Sequence, residues 1–173
     1  MKPDIRIRRR RAAGLAVLLA VLLAVPAAAE KPRIAVFGFE LIDTSLEGEI
    51  SGPRADEQAR LIAISDQLRR QLTESDRYTL IDVAPMRWRL ESASPLHGCN
   101  GCEAEIAREL GAEISMAGTV QKVSNLILNI NLYMRDAATG EPLGTYSVDI
   151  RGNTDASWSR GVSYIIRNRL LDK

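Results

Sequence analysis

The chain has 173 residues, with 23 basic and 22 acidic side chains, a single histidine and two cysteines. So even a balance offers no basic stripe to displace counterions from phosphates, which excludes nucleic acid as the expected partner. Two cysteines allow one bridge at most, and an aromatic content of 5% requires a core built from aliphatic side chains.

The amino terminus sets the compartment. Met1 to Arg11 carries six basic residues against the single acid Asp4, and the apolar run Ala12–Val25 follows. Pro26 breaks the run before Ala27-x-Ala29. A charged region, an apolar region and a small-residue site in that order predict a secretory signal peptide over 1–29, cleaved near Ala29. The apolar run falls short of the roughly 20 residues that span a bilayer; an uncleaved anchor is the competing reading. The arginines Arg8–Arg11 leave the general and the twin-arginine export routes both open. No cysteine stands at the cleavage site to take a lipid. Beyond it, 30–173 is expected to form one domain with 17 basic and 21 acidic residues, net −4, in the periplasm.

Arg33–Leu41 (RIAVFGFEL) is a nearly continuous apolar run and reads as a buried strand. Ile42–Glu57 is polar, holds Gly48, Gly52 and Pro53, and reads as a long loop. Ala55–Ser75 places Leu61, Ile64, Leu68 and Leu72 at helical spacing, with acids early and arginines late as the helix dipole favours. Arg77–Val83 is a second short strand. Ala84–Gly101 is irregular, with one helical turn around Met86–Glu91. Cys102–Ala112 is a short helix with Ile106, Ala107 and Leu110 inward and Gly111 at its C-cap. Two strands over Glu113–Ala137 meet near Ser124-Asn125. In the second, Leu128, Ile130 and Leu132 alternate with Asn129, Asn131 and Tyr133, so the asparagines mark an exposed or partner-covered sheet face. After the turn at Gly140, Thr145–Gly152 is the last strand. A closing amphipathic helix starts at Asn153 or Thr154 and sets Trp158, Val162, Ile165, Ile166, Arg169 and Leu170 on one side.

This order predicts a single α/β domain: a mixed sheet with a β-α-β start, an antiparallel meander, helices packed on it and a C-terminal helix. The opening strand, the "LGA…GTV" strand entry, the "RDAATG" hairpin and "GNTDASWSRGVSYIIRNRLL" carry a resemblance. They resemble uncharacterised exported bacterial proteins of the domain-of-unknown-function 2380 type over most of residues 33–171. That group is similar in fold to the amino-terminal domain of the Tol translocation beta-propeller protein. It is similar too to the curli secretion subunit, flagellar accessory proteins and the lipoprotein activators of penicillin-binding proteins. The resemblance implies a fold and an envelope setting; its motifs are structural and imply no reaction. The chain departs from these relatives in lacking an acylated cysteine and the membrane-inserting hairpins of the curli subunit.

Every cysteine and the lone histidine fall in His97–Cys102 (HGCNGC). In an oxidising compartment, Cys99 and Cys102 most simply form a disulfide that pins an irregular segment to a helix start. Two other chemistries stay open. A C-x-x-C at a helix N-terminus resembles a redox site, where the dipole lowers a thiol pKa. A metal site would take His97, Cys99 and Cys102, with Glu103 or Glu105 as fourth ligand, although zinc sites usually draw on two cysteine pairs. No G-x-S-x-G and no phosphate loop occurs, and no cofactor is expected. Asp43, Glu47, Glu49 and Arg54 in the long loop, with Trp88 in the irregular segment, are the candidate partner-binding residues. Solvated loop acids and a half-buried tryptophan are the competing readings. The expected function is an exported, non-enzymatic partner-binding or assembly accessory whose partner is another envelope protein. A thiol–disulfide accessory using Cys99–Cys102 is the alternative.

Overall fold

The computed structural model describes residues 30–172, so the expected signal segment lies outside the described residues. Strand β1 (Arg33–Asp43) runs through the sheet interior, with Ile34, Ala35 and Val36 at most 2% exposed. The chain then forms α1 (Leu46–Ser51), α2 (Ala55–Glu74) and β2 (Thr79–Ile81). After α3 (Arg87–Ala93) and α4 (Cys102–Glu109) come β3 (Ile114–Lys122), β4 (Ile127–Asp136), β5 (Pro142–Arg151) and α5 (Asp155–Ile165). The open five-stranded sheet has the order β2-β1-β3-β4-β5. β1 is parallel to β2 and to β3, whereas β3, β4 and β5 form an antiparallel meander.

Helices α2 and α5 cover one sheet face. Leu61, Ile64, Leu68 and Leu72 of α2 join Trp158, Val162 and Ile165 of α5 in the main core, against Ile34, Met116, Val120, Leu128, Ile130 and Leu132. The alternation read in β4 is the reason: every second side chain must face the same way. Gly161 lets α5 approach closely, since a Cβ there would lie 2.8 Å from Ile150 Cγ2 and 2.9 Å from Ile130 Cδ1. On the opposite face α4 packs its Ala107 into a small-residue patch with Ala35, Ala112 and Ala137.

One bulge decides which β1 residues reach that second face. The register with β3 shifts between Val36 and Gly38, and Gly38 has φ +95°, a conformation that costs glycine little. Past the bulge Phe39 turns into the helix-covered core. Its backbone N–H donates to Ser65 Oγ at 2.9 Å. Phe37 and Glu40 are left on the second face.

The fold departs from the sequence reading in four places. The long loop expected over Ile42–Glu57 is shortened by β1, which continues to Asp43, and by α1, whose N-cap Ser45 accepts from Gly48 N–H at 3.1 Å. The helical turn near Met86–Glu91 is the two-turn α3. Trp88 is not half-buried: α3 carries it outward at 65% exposure. Arg169 does not face the core. The last helix changes to a wider π turn over Ile166–Leu170, which rotates Arg169 outward to stack over Tyr164 at 5.8 Å. Thr154 is the N-cap of α5, its hydroxyl accepting from Ser157 N–H at 3.2 Å. Among the described residues no helix is long and apolar enough to cross a membrane.

Candidate functional site: a groove on the second sheet face

The second face is only partly covered. Between its strands and the segment from α3 to the start of α4 lies an open cavity of about 550 Å³. Phe37, Ala117 and Tyr133 form its floor, Leu90 and Leu96 its apolar wall, and Glu40, Glu91, Glu103 and Arg135 its charged groups. β1, β3 and β4 position the floor by the alternation of their side chains, reset in β1 by the Gly38 bulge; the wall is held by polar contacts to β1.

Glu40 makes those contacts. Its Oε1 accepts from Leu96 N–H at 2.7 Å, and its Oε2 accepts from His97 N–H at 3.0 Å. The His97 ring Nδ1 lies 2.8 Å from the same Oε2. One strand carboxylate thus grips two consecutive backbone donors and an imidazole, 56 and 57 residues away in sequence. Two residues past His97, Cys99 is bonded to Cys102, with 5.6 Å between their Cα atoms. The bridge ties the gripped segment to the first residue of α4.

The bridge also bears on the metal alternative. His97 is turned toward Glu40, and the groups that approach within 4.8 Å are Cys99, Cys102 and Glu103 instead. Sulfurs bonded to one another offer no thiolate. Glu103 pairs with Arg135, whose Nε is 2.9 Å from Oε1. The Nε–H is not aligned for a hydrogen bond, so the contact is an ion pair. Arg135 Nη1 donates to Gly140 O at 3.0 Å. Among the described residues no proton donor hydrogen-bonds Glu103 Oε2: the Cys99 sulfur lies 3.7 Å away, and a bridged sulfur carries no proton to donate.

The loop candidates lie elsewhere, around Lys122. This residue closes β3 on the helix-covered face and is 0% exposed. Its ammonium donates to Glu57 Oε1 at 2.7 Å, Asp43 Oδ2 at 3.0 Å and Glu47 Oε2 at 3.1 Å. Glu47 Oε1 accepts from Arg54 Nη1 at 2.7 Å, and Arg54 also holds Asp56. Asn153 donates to Glu57 Oε1 at 2.6 Å and accepts from Trp158 Nε1 at 3.0 Å, which joins the network to the core. The structure thus brings Asp43, Glu47 and Arg54 into one charge cluster. Glu49 is exposed on α1, and Trp88 belongs to a different element, α3.

The electrostatics follow the contacts. Burial alone would raise the Asp43 carboxyl, but hydrogen bonds from Ser45 and Lys122 outweigh it and hold the pKa below its ordinary value. The Lys122 ammonium, then Asn125 and Arg54, lower that of Glu47. Arg54 and Arg60 hold Asp56 far below the carboxylate range against some desolvation. Desolvation would lower Lys122, yet Glu57, Asp43 and Glu47 keep it well above the usual lysine value.

In the sequence Lys122, Glu40 and Arg135 carry no assigned role, and Glu57 reads only as one of the acids flanking the long loop. For Lys122 a signal existed: Met116, Gly118 and Val120 precede it by steps of two, and that phase puts it on the buried face.

The family model described as "Protein of unknown function (DUF2380)" matches residues 32–170. The chain belongs to this family. It is the group that the opening strand, hairpin and final helix resemble. No curated protein matches the chain. Similar solved structures include the LpoB C-terminal domain from Salmonella enterica, at 17% identity and TM-score 0.49, covering 70% of this chain and 83% of that one. Lipoprotein GNA1162 from Neisseria meningitidis aligns at 14% identity and TM-score 0.49, covering 82% and 99%. TolB from Acinetobacter baumannii aligns at 15% identity and TM-score 0.42, covering 82% of this chain and 28% of its own.

Proposed function

We propose that this chain is an exported, non-enzymatic envelope protein that docks a protein partner in the groove beneath the bridged segment. The observation that carries the reading is the groove itself. Its apolar floor is presented by a rigid sheet, and its wall is fixed by the Glu40 clamp and the Cys99–Cys102 bridge. Glu40 and Glu103 each face a group of their own chain, an arrangement suited to holding a shape. Trp88, exposed on the helix that supplies Leu90, offers the kind of aromatic anchor that dominates protein interfaces. The test is co-purification of the tagged, exported protein after chemical crosslinking in cells. A Trp88→Ala/Leu90→Ser variant is expected to lose its adducts by about tenfold, as for an interface hot spot. An adduct pattern unchanged from wild type would overturn the reading.

One observation favours a thiol–disulfide role as a second reading: Cys102 is the first residue of α4, where a helix N-terminus stabilises a thiolate. Thiol trapping against a glutathione series decides it. A potential between about −200 and −120 mV would support exchange, and one below about −300 mV would exclude it.

A further inference from the structure

The charged groups of the groove do not balance. Glu40, Glu91 and Glu103 line it against one guanidinium, Arg135, besides the His97 imidazole. The donors nearest the carboxylates are already committed: Leu96 N–H and His97 N–H on Glu40, and Arg135 in its ion pair with Glu103 and its hydrogen bond to Gly140 O, with the Nε–H left misaligned. Beside that Nε–H, what remains is acceptor capacity. Glu91 projects from α3 with an exposed side chain. Glu103 is the more telling, because its side chain is only 10% exposed and its Oε2 meets no proton donor among the described residues. A carboxylate on a nine-tenths buried side chain with one oxygen lacking a donor is costly, and a ligand that brings a donor relieves that cost.

The same fold shows how it satisfies such a demand elsewhere. At the far end of β3, three carboxylates surround the ammonium of Lys122, which arrives on an aliphatic stem packed in the sheet face. The groove also sets three carboxylates above an apolar floor, but its one resident guanidinium, Arg135, is paired with Glu103 alone.

From this we infer that the groove takes a cationic side chain, arginine or lysine, presented by an exposed segment of the partner protein. The stem lies along Phe37, Ala117 and Leu90, and the charged head reaches Glu91 and the free oxygen of Glu103. Tyr133 on the floor adds an aromatic face that favours a cation. An anionic group would meet three carboxylates, and a neutral apolar one would leave Glu103 Oε2 without a donor. The inference rests on the docking reading above and adds the chemistry of the docked group.

The test uses two acetylated, amidated peptides, Gly-Leu-Arg-Leu-Gly and its citrulline counterpart, which keeps the shape and loses the charge. Each is titrated into isotope-labelled protein and followed by amide chemical shifts. The arginine peptide is expected to shift the amides of Leu96–Glu103, Ala117–Thr119 and Tyr133–Arg135 saturably, and the citrulline peptide to bind about fivefold more weakly. Glu91→Gln, at an exposed position that leaves the fold intact, is expected to weaken the arginine peptide about two- to threefold and leave the citrulline peptide unchanged. Equal binding of both peptides would overturn the cationic occupant while leaving the groove as a docking site. Absence of saturable shifts at those amides would overturn it too, and the Trp88→Ala/Leu90→Ser adducts would then judge the docking reading separately.

Discussion

β1 and β3 carry a charged cluster on each of their faces, and the two clusters differ in what seals them. Around Lys122 the helix-covered face brings α1, α2 and the start of α5 together, so a lysine with no exposure sits among three carboxylates. On the other face Glu40 and Glu103 also have partners, but 24% of the Glu40 side chain and 32% of His97 stay open to solvent beside a cavity. One strand pair thus supplies a charge cluster closed into the fold and one left at a mouth. Buried charges hold a structure in register at a desolvation cost; half-open ones keep capacity for a ligand.

The comparison breaks most sharply at Lys122. Lys122→Met leaves Asp43 and the fully buried Glu57 without their cation and Glu47 with Arg54 alone. Urea unfolding is expected to show a loss of about 3–5 kcal/mol. A loss below that of an ordinary surface substitution would mean the cluster is not sealed. Next is pH. Asp43, Glu47 and Asp56 have lowered pKa values when folded, so their stabilisation is complete above the unfolded carboxylate values near ~4 and is lost as pH falls through the folded values. Lys122 is raised, so its contribution is complete below about 10.4 and is lost as pH rises through its folded value. Urea midpoints across the acid range should therefore fall less steeply with acid in Lys122→Met than in wild type.

At the groove the effects are smaller and local. Cys99→Ser/Cys102→Ser opens a ring of only four residues, and the expected loss of global stability is about 2 kcal/mol or less. Hydrogen exchange at Leu96 and His97 sharpens the contrast. Those amides should exchange faster without the bridge, while amides of Ile34–Val36 in β1 keep their protection. Least of all, Trp88→Ala should change the unfolding free energy by no more than about 0.5 kcal/mol, because α3 holds that ring in solvent. A larger loss would place Trp88 in the fold and remove it from the docking surface.

The fold was legible where its determinants are local. The period of two in Leu128–Leu132, the helical spacing from Leu61 to Leu72 and the Gly111 stop each predict the observed element. The site was legible only in its bridge segment and at Trp88. Glu40 reaches the groove because the Gly38 bulge resets the alternation of β1, and no period read along the chain reports a bulge. Its partners lie 56 and 57 residues away, and the Lys122 carboxylates lie 65, 75 and 79 residues away. Asp43, Glu47 and Arg54 read as free loop charges because their common partner, Lys122, sits on a strand that folding alone brings beside them.

The most direct test of the docking claim is photo-crosslinking in cells. A benzophenone amino acid is placed at Leu90 or Glu91 in the groove and, as the comparison, at Ile62, an exposed apolar position on α2. The account predicts a discrete protein adduct from both groove positions and none from Ile62. Adducts from Ile62 with none from Leu90 or Glu91 would contradict it.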